Sequence, residues 1–403
     1  MKKLIMLSIL SSSILSAAAY KVPETSLNGV ALGAANVAHN KSADAAYYNP
    51  ANMVFMKHDG VMEVDMMYIG LSEVDYKGDY TSSHGGRSGP YNISSEKEDF
   101  FIPTFHYVSP EIDGARFGFC MVVPAGLSKR WDDQPAKASA QEFTLETLEL
   151  NPTVALPIGS KMGIAIGIRA IYSSGVVKAQ PAAGVVTQDM EGDSIDFGYN
   201  LAFSYKPTKE LELALTYRSK VEITTEGDAD LEHPGLQNKN YSVSIDIPVP
   251  ALFNAAIAYT FASDTTVEFV YERNYWHANS ETDFNYSDSK AEAIFGKPQA
   301  KNYKDTNTFR LGITQELKDL TLMSGLVIDE SPIPESTLGY ELPDSDSVSV
   351  SLGARYQFSP KLNAGIGALY SMREDRVVHN DKLDGEFTNS TALLVSIGLE
   401  YKF

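Results

Sequence analysis

The sequence predicts an all-β protein: a 14-stranded antiparallel transmembrane β-barrel with an N-terminal hatch, or plug, inside its lumen. Three observations predict this fold: an export signal, alternation of apolar with small or polar side chains, and a succession of short turns and long polar connections. We divide the chain into a signal peptide at residues 1–19, the hatch at 20–58 and the barrel at 59–403.

The first nineteen residues have the features of a secretion signal. Lys2 and Lys3 form a positive head, an apolar run extends from Leu4 to Leu15, and three alanines ending at Ala19 form a cleavage site. A retained membrane anchor is the alternative, but a spanning helix needs about 20 apolar residues. We therefore expect an exported chain whose mature form begins at Tyr20.

Apolar side chains alternate with small or polar ones through most of the remaining chain. In the last segment, TALLVSIGLEYKF, one face carries Leu393, Val395, Ile397, Leu399, Tyr401 and Phe403. The opposite face carries Ser396, Gly398, Glu400 and other small or polar residues. KMGIAIGIRAIY, at residues 161–172, has the same pattern. This period of two is that of β-strands with two different faces.

The alternation and the turns between the segments predict fourteen strands. These lie near residues 60–72, 99–108, 115–124, 142–156, 161–178, 193–206, 211–226, 241–261, 265–278, 303–317, 320–331, 346–358, 361–374 and 389–403. Short turns join some strands and long polar segments join others, as in an up-and-down barrel. An even number of antiparallel strands can close without leaving an edge.

Two architectures can use such strands: a soluble β-sandwich and a membrane barrel. The export signal, the aromatic residues that end many apolar stripes, and the small and charged residues on the other face favour the barrel. The aromatic Phe403 at the chain end also resembles bacterial outer-membrane barrels in general. We therefore expect the protein in the bacterial outer membrane, as a monomer, surrounded by outer-membrane lipid and lipopolysaccharide.

Composition excludes or disfavours several other classes. The net charge is −19, and removal of Lys2 and Lys3 would take it to −21, which argues against nucleic-acid binding. Cys120 is the only cysteine, so an internal disulfide is impossible. Acidic segments such as 226–232 and 341–346 are typical of solvated loops, and their spacing predicts no specific metal site. We expect no cofactor.

Residues 20–58 are rich in Ala, Gly and Asn, and they contain the sequence Asn49-Pro50-Ala51. Composition permits a disordered leader, a short periplasmic helix or a compact plug inside the wide lumen of fourteen strands. Pro50 fixes its backbone angle φ and donates no backbone hydrogen bond, so the residues alone predict a turn there.

Several motifs in order resemble the outer-membrane long-chain fatty-acid transporter family (FadL-type), which includes channels for aromatic hydrocarbons. The hatch pattern stands here as Gly33-Ala34-Ala35, Asp44, Asn49-Pro50-Ala51 and Met53. Further similar segments are VVPAGLSKRW at 122–131, LELNPTVALPI at 148–158, residues 192–231, NYKDTNTFRLGI at 302–313, and residues 329–360 with their Asp-x-x-Pro-x-Pro and Pro-Asp-x-Asp elements. The resemblance covers nearly the whole mature chain.

The resemblance implies a passive channel for hydrophobic molecules, either fatty acids or hydrocarbons. A ligand would rest against the hatch and leave sideways through a gap made by a kink in the third strand. Pro124 and Gly126 are the candidates for that kink, although both could simply end the strand. Asn49, Pro50 and Ala51 would fix the turn by which the hatch leaves the lumen, and movement of the hatch would gate the path.

A fatty-acid carboxylate would need a cation beside an apolar slot. The candidates are Arg169, Lys178, Lys301 and Arg310. Pairing with lumen acids is the structural alternative for each, and a lumen charge without a partner would be a functional signal. The cationic positions of the family do not coincide with residues here, which leaves a neutral hydrocarbon open.

Enzyme hypotheses find little support in the sequence. It contains no HExxH, no G-x-S-x-G and no phosphate-binding loop, so we assign no catalytic residue. An outer-membrane hydrolase and a general porin remain as alternatives from other classes. The hatch with Asn49-Pro50-Ala51 argues against the porin.

Overall fold

The computed structural model describes residues 19–57, 59–81, 88–180 and 187–403. The predicted signal peptide, apart from Ala19, and His58 at the end of the predicted hatch lie outside these ranges. Within them, fourteen antiparallel strands form a closed barrel, which confirms the predicted fold class and strand number.

The strands, numbered β1 to β14 here, follow the chain order around the barrel. They are β1 Val61–Leu71, β2 Glu98–Val108, β3 Arg116–Val122 and Gly126–Arg130, β4 Glu142–Ile158, β5 Met162–Ala179, β6 Thr187–Tyr205, β7 Leu211–Arg218 and Val221–Glu232, β8 Asn240–Val249 and Leu252–Thr260, β9 Thr265–Asn274, β10 Thr306–Glu316, β11 Leu320–Asp329, β12 Ser347–Ser359, β13 Leu362–Arg373 and β14 Thr391–Lys402. β1 closes the barrel because it pairs with β2 on one side and with β14 on the other. Three strands, β3, β7 and β8, are interrupted.

The two faces of the wall have the predicted polarity. On β14, Ile397 is 56% exposed and Leu399 is 51% exposed on the outer surface, whereas Ser396 and Glu400 are buried on the lumen side. On β5, Ile164, Ile166 and Ile168 face outward in the same way. An outward apolar band with polar groups inside is the arrangement that a barrel needs in lipid.

Short turns close one end of the barrel, and long connections cover the other, which by comparison with bacterial barrels is the extracellular end. The long connections contain a four-stranded sheet of Asp75–Tyr80, Gly89–Ser94, Arg376–His379 and Leu383–Thr388, the pair Glu281–Thr282 and Gln299–Ala300, and strand Phe284–Tyr286 beside β8. They also contain helices Lys137–Ala140 and Ser289–Phe295 and the 3-10 turns Trp276–Ala278 and Glu335–Thr337. No helix in the described part of the chain is long and apolar enough to cross a membrane.

The N-terminal segment, residues 19–57, lies inside the lumen, and we refer to it as the hatch. Helix α1 (Leu27–Leu32) packs on β11, β12 and β13, and a 3-10 helix (Pro50–Phe55) packs on β4, β5 and β6. A short helix α2 (Ala45–Tyr48) connects them near β2 and β3. The hatch thus fills space that fourteen strands would leave open.

Local sequence explains how α1 begins and ends. The Ser26 side chain accepts a hydrogen bond from the Gly29 backbone N–H at the start, and Gly33 adopts a left-handed φ of 57° at the end. The facing wall is made of small residues, since a Cβ at Gly353 would overlap Ala31 and one at Gly325 would overlap Leu32. The small lumen-facing residues therefore let the helix approach the wall closely.

Candidate functional site

Strand β3 is broken between Val122 and Gly126, with Pro124 inside the break. β2 pairs with β3 only at residues 105–108 opposite 118–121, and the second half of β3 pairs only with β4. Pro124 offers no N–H to a ladder. Residues 98–104 of β2 and the middle of β3 therefore border a gap in the wall.

Protein contacts close this gap at its outer end and cover it on the lumen side. At the outer end, the Glu96 N–H donates to the Arg130 carbonyl at 2.9 Å, and Arg130 Nη1 lies 2.5 Å from Glu98 Oε2. On the lumen side, the hatch covers the break: Val22 N donates to the Pro124 carbonyl at 2.9 Å, and Gly126 N donates to the Tyr20 carbonyl at 2.8 Å. Residues 20–22 thus pair with the broken part of β3.

An inner cavity lies behind this N-terminal segment, and it reaches Pro124 and Ala125 at the gap. The cavity volume is about 50 Å³. Apolar groups dominate the lining, among them Val22, Pro23, Val37 and Leu252. The apolar lining between hatch and wall suits part of the chain of a hydrophobic ligand.

Two buried arginines at the edge of this cavity share one carboxylate. Glu149 on β4 accepts from Arg169 Nη2 at 2.9 Å and also from Arg218 Nη2. The Arg218 guanidinium lies over the ring of Tyr47, 4.2 Å from its centroid, as in a cation–π contact. Among the described residues, its Nη1 has two long contacts, 3.5 Å to the Tyr47 carbonyl and 3.4 Å to Asn151 Oδ1.

A second group of charges ties the hatch to the wall beside the same cavity. Arg310 on β10 donates to the Gly33 carbonyl at 2.8 Å, and it lies 3.5 Å from Glu24 and 3.4 Å from Glu272. Lys21 pairs with Glu272. Burial raises the pKa of Glu24 against the opposing attraction of Arg310.

An outer cavity lies nearer the extracellular mouth, and Lys301 borders it. Its lining includes Leu127, Phe143 and the ion pair of Lys301 with Glu341, whose atoms are 2.7 Å apart. Although burial opposes it, the attraction of Lys301 lowers the pKa of Glu341. The Glu341 carboxylate is therefore favoured in its ionised form.

Tyr20 lines both cavities. Its hydroxyl donates to the Pro248 carbonyl at 2.6 Å, and its ring meets Trp276 edge-on with 4.9 Å between the centroids. The side chain of Tyr20 consequently stands between the mouth and the inner cavity.

The four predicted carboxylate-binding cations do not converge. Arg169 borders the inner cavity, Arg310 anchors the hatch, and Lys301 is at the mouth. Lys178 lies on the outer part of β5, where it pairs with Glu142 at 3.2 Å and Asp189 at 3.8 Å. Sequence reasoning missed Arg218 and Lys21, because which cation meets which carboxylate depends on contacts between distant strands.

Asn49, Pro50 and Ala51 begin the 3-10 helix of the hatch. The Asn49 side chain accepts from the Ala51 N–H at 3.2 Å and donates to the Val37 carbonyl at 2.7 Å and to Ser204 Oγ at 2.9 Å. The motif therefore links two hatch loops to β6. Its role in gating remains a prediction.

Within the described ranges, no group of three His, Cys, Asp or Glu side chains is arranged to hold a metal ion. The fold and the site instead define an outer-membrane barrel with an N-terminal segment in its lumen, where the inner cavity reaches the break in β3 and the outer cavity lies nearer the long connections.

This chain belongs to the outer membrane protein transport family (OMPP1/FadL/TodX), whose family model matches residues 8–403. It is 25% identical to a long-chain fatty acid transport protein of Salmonella typhi over 306 residues, which is 67% of this chain and 69% of that protein. It is 22% identical to outer membrane protein P1 of Haemophilus influenzae over 415 residues, covering 90% and 87% of the two chains.

Two solved structures have the same fold. A FadL homologue of Pseudomonas aeruginosa matches with a TM-score of 0.83 at 19% identity, covering 96% of this chain and all of the other. The toluene transporter TodX of P. putida matches with a TM-score of 0.70 at 16% identity, covering 94% and 98%. The protein is an outer-membrane channel for hydrophobic compounds, and members of its family are channels and not enzymes.

Proposed function

We propose that this channel takes up long-chain fatty acids by passive diffusion and releases them sideways at the break in β3. The observation that carries the proposal is the inner cavity, where an apolar lining adjoins two arginines that share Glu149. The curated relative of Salmonella typhi, a long-chain fatty acid transport protein, supports the same substrate class.

The charge balance at the cavity favours an anionic ligand. Arg169 and Arg218 carry two positive charges against the single charge of Glu149, and all three side chains are buried. An excess charge in a medium of low dielectric constant attracts a counter-ion strongly. A ligand carboxylate at Arg218 Nη1 would supply that charge, while the alkyl chain occupies the apolar part.

The position and the surroundings of the gap support release through it. The inner cavity reaches Pro124 and Ala125, and outside the gap lies the apolar band of the wall, for example Phe101 on β2. Partition of the alkyl chain into lipid then drives release, and no nucleotide is needed. The segment 20–22 covers the break, so movement of this segment would open the gap, with Asn49, Pro50 and Ala51 holding the rest of the hatch.

We further propose a monomer surrounded by outer-membrane lipid and lipopolysaccharide. The closed ladder from β1 to β14 leaves no barrel edge to pair with a second copy.

The substitution Arg218→Gln tests the carboxylate site. A hydrogen bond to a charged group contributes about 1.5–3 kcal/mol, so we expect oleate to bind roughly 10- to 100-fold more weakly. Oleyl alcohol should bind the variant and the parent equally. Lys178→Gln is the matched control, since it removes a cation from outside both cavities. Unchanged oleate affinity in Arg218→Gln would contradict the proposal.

A neutral aromatic hydrocarbon is the second candidate. It is favoured because each of the four predicted cations already has a carboxylate partner. The structural neighbour TodX is described as a toluene transporter. Toluene uptake that exceeds oleate uptake in the same proteoliposomes would support this candidate instead.

A further inference from the structure

Four buried carboxylates line the interface between the hatch and the wall strands β1 and β14. We call the group the acidic seam: Glu63 and Asp65 on β1, Glu400 on β14 and Asp44 in the hatch. In the strand register Glu63 stands opposite Glu400 on one side and opposite His106 of β2 on the other. The seam lies away from the inner cavity and plays no part in the proposed binding of a ligand.

Cations do not balance these carboxylates. Arg355 on β12 pairs with Glu63 and also donates to Asn28 Oδ1 at 2.7 Å and Asn363 Oδ1 at 3.0 Å. Lys402 lies 3.5 Å from Glu400 Oε1, and its side chain is one-third exposed. Within the described ranges, four buried carboxylates therefore have one buried guanidinium and one partly solvated ammonium as counter-charges. In a medium of low dielectric constant such an excess is neutralised by bound protons or by bound ions.

Several buried polar atoms in the seam have no hydrogen-bond partner among the described residues. One oxygen of each carboxylate is unpaired, and so are the Ser396 hydroxyl and both ring nitrogens of His106. His106 is fully buried, and its Nδ1 lies 3.9 Å from Asp65 Oδ2, which is too far for a direct hydrogen bond. An unsatisfied buried group costs about 1–3 kcal/mol, so these atoms need further partners.

Water can reach the seam from the end of the barrel that carries the short turns. A polar cavity opens there, and Asn28, Asn36, Arg355 and Glu400 line it. Water both donates and accepts, so it fits a mixture of carboxylate oxygens, imidazole nitrogens and a hydroxyl. A divalent ion fits less well, because no three carboxylates or imidazoles in the described part of the chain are grouped for one.

We propose that the acidic seam is a buried site for water and a shared proton, and that this proton holds the hatch against β1 and β14. A proton from bulk water passes through the polar cavity and binds one carboxylate oxygen, which becomes an O–H donor to a neighbouring carboxylate or, through a bound water, to His106. No other group is consumed. Loss of the proton at high pH adds a negative charge to the seam, which increases the repulsion among its carboxylates, and the hatch loosens.

The hatch residue Asp44 supports this direction of the pH effect. Its carboxylate accepts from Ser26 Oγ at 2.7 Å, yet burial raises its pKa above the usual range. Because the pKa of Asp44 is raised while the hatch is in place, protonated Asp44 stabilises the contact between hatch and wall. This stabilisation is complete below about pH 4, the usual pKa of a free aspartate. The stabilisation is lost as the pH rises through the pKa that Asp44 has when the hatch is in place.

The test uses a spin label on the hatch. Ser42, which borders the polar cavity, is replaced by Cys in a Cys120→Ala background, and label mobility is followed by EPR from pH 5 to 9. We expect a mobile component that grows as pH rises. Asp65→Asn and Glu63→Gln, which mimic the protonated carboxylates, should remove that component or move its midpoint upward by a pH unit or more.

Two controls isolate the seam. Glu111→Gln removes an exposed carboxylate from the β2–β3 turn and should leave the pH profile unchanged. His39→Gln removes a second titratable hatch group, since His39 Nδ1 lies 3.1 Å from Glu212 Oε1. Burial lowers the pKa of His39, but hydrogen bonds to Glu212 and Glu316 outweigh this effect, so the net pKa is raised. His39 therefore also titrates in the hatch, and each seam variant is measured a second time in a His39→Gln background.

The outcome that would overturn the proposal is a label whose mobility is constant from pH 5 to 9. An Asp65→Asn profile identical to that of the parent would do the same. Folding of each variant is checked by heat-modifiable migration in gels. If Asp65→Asn does not assemble, Asp44→Asn on the hatch gives the same test without altering a strand.

Discussion

Glu149 is the residue on which the charge balance of the inner cavity depends. It is fully buried and accepts hydrogen bonds from both Arg169 and Arg218. Removing one partner from a buried ion pair leaves an uncompensated charge, which typically costs about 3–5 kcal/mol. Two guanidiniums without a carboxylate would then attract a ligand anion more strongly.

The substitution Glu149→Gln should therefore have two opposite effects. We expect the free energy of unfolding, measured by urea titration in lipid vesicles, to fall by about 3 kcal/mol. We expect the affinity for oleate, relative to oleyl alcohol, to rise. Asp228→Asn, an exposed carboxylate on β7, serves as the control for net charge. Weaker oleate binding in Glu149→Gln would show that the arginines do not meet the ligand carboxylate.

At the scale of elements, β3 and the N-terminal segment form one unit. Lys21 and Ala125 are bridge partners, and the neighbouring residues exchange backbone hydrogen bonds. The wall at this point is thus completed by the hatch and not by β2. A covalent link between the two should hold the gap covered.

The double variant Lys21→Cys with Ala125→Cys, made in a Cys120→Ala background, provides that link. Oxidation should reduce oleate uptake into proteoliposomes to background, and dithiothreitol should restore it. The reduced form also controls for the loss of the Lys21–Glu272 pair. Ser173→Cys with Ser194→Cys joins register partners of β5 and β6 away from the break and should leave uptake unchanged. Normal uptake with 21 and 125 linked would exclude the gap as the exit.

The elements were predictable to a different degree from the site. Alternation is a local property, and the buried Ser396 beside the exposed Ile397 on β14 confirms that period two identifies the lumen face. The partners of Glu149 lie 20 and 69 residues further along the chain, so no local pattern contains them. Arg218 has the parity of a lumen residue, but its contact with Tyr47 of the hatch exists only in the assembled barrel.

The whole molecule consists of a wall whose strand ladder closes through β1, with the hatch covering the break in β3, and a hatch that is held by the wall. All eleven residues of β1 pair with β14 and with β2, and no described ladder between barrel strands includes a hatch residue. The hatch pairs with the wall at the break in β3, where Lys21 bridges Ala125. The hatch in turn depends on the wall, since three successive N–H groups of Val37, Ala38 and His39 donate to the Glu268 carboxylate at 2.6–2.9 Å. We therefore expect the wall to stay folded without the hatch, whereas the hatch needs the wall.

Deletion of residues 22–52 should consequently give a folded barrel with an open lumen. We expect heat-modifiable migration like that of the parent, because the strand ladder is intact, and single-channel conductance in planar bilayers, because fourteen strands enclose more space than their side chains fill. Gly353→Val is the graded version: its side chain would overlap Ala31, displace α1 and raise conductance partially. Ala354→Val on the same strand adds similar volume at the next position and is the control. An assembled barrel that conducts no more than the parent would mean that the loops, and not the hatch, seal the lumen.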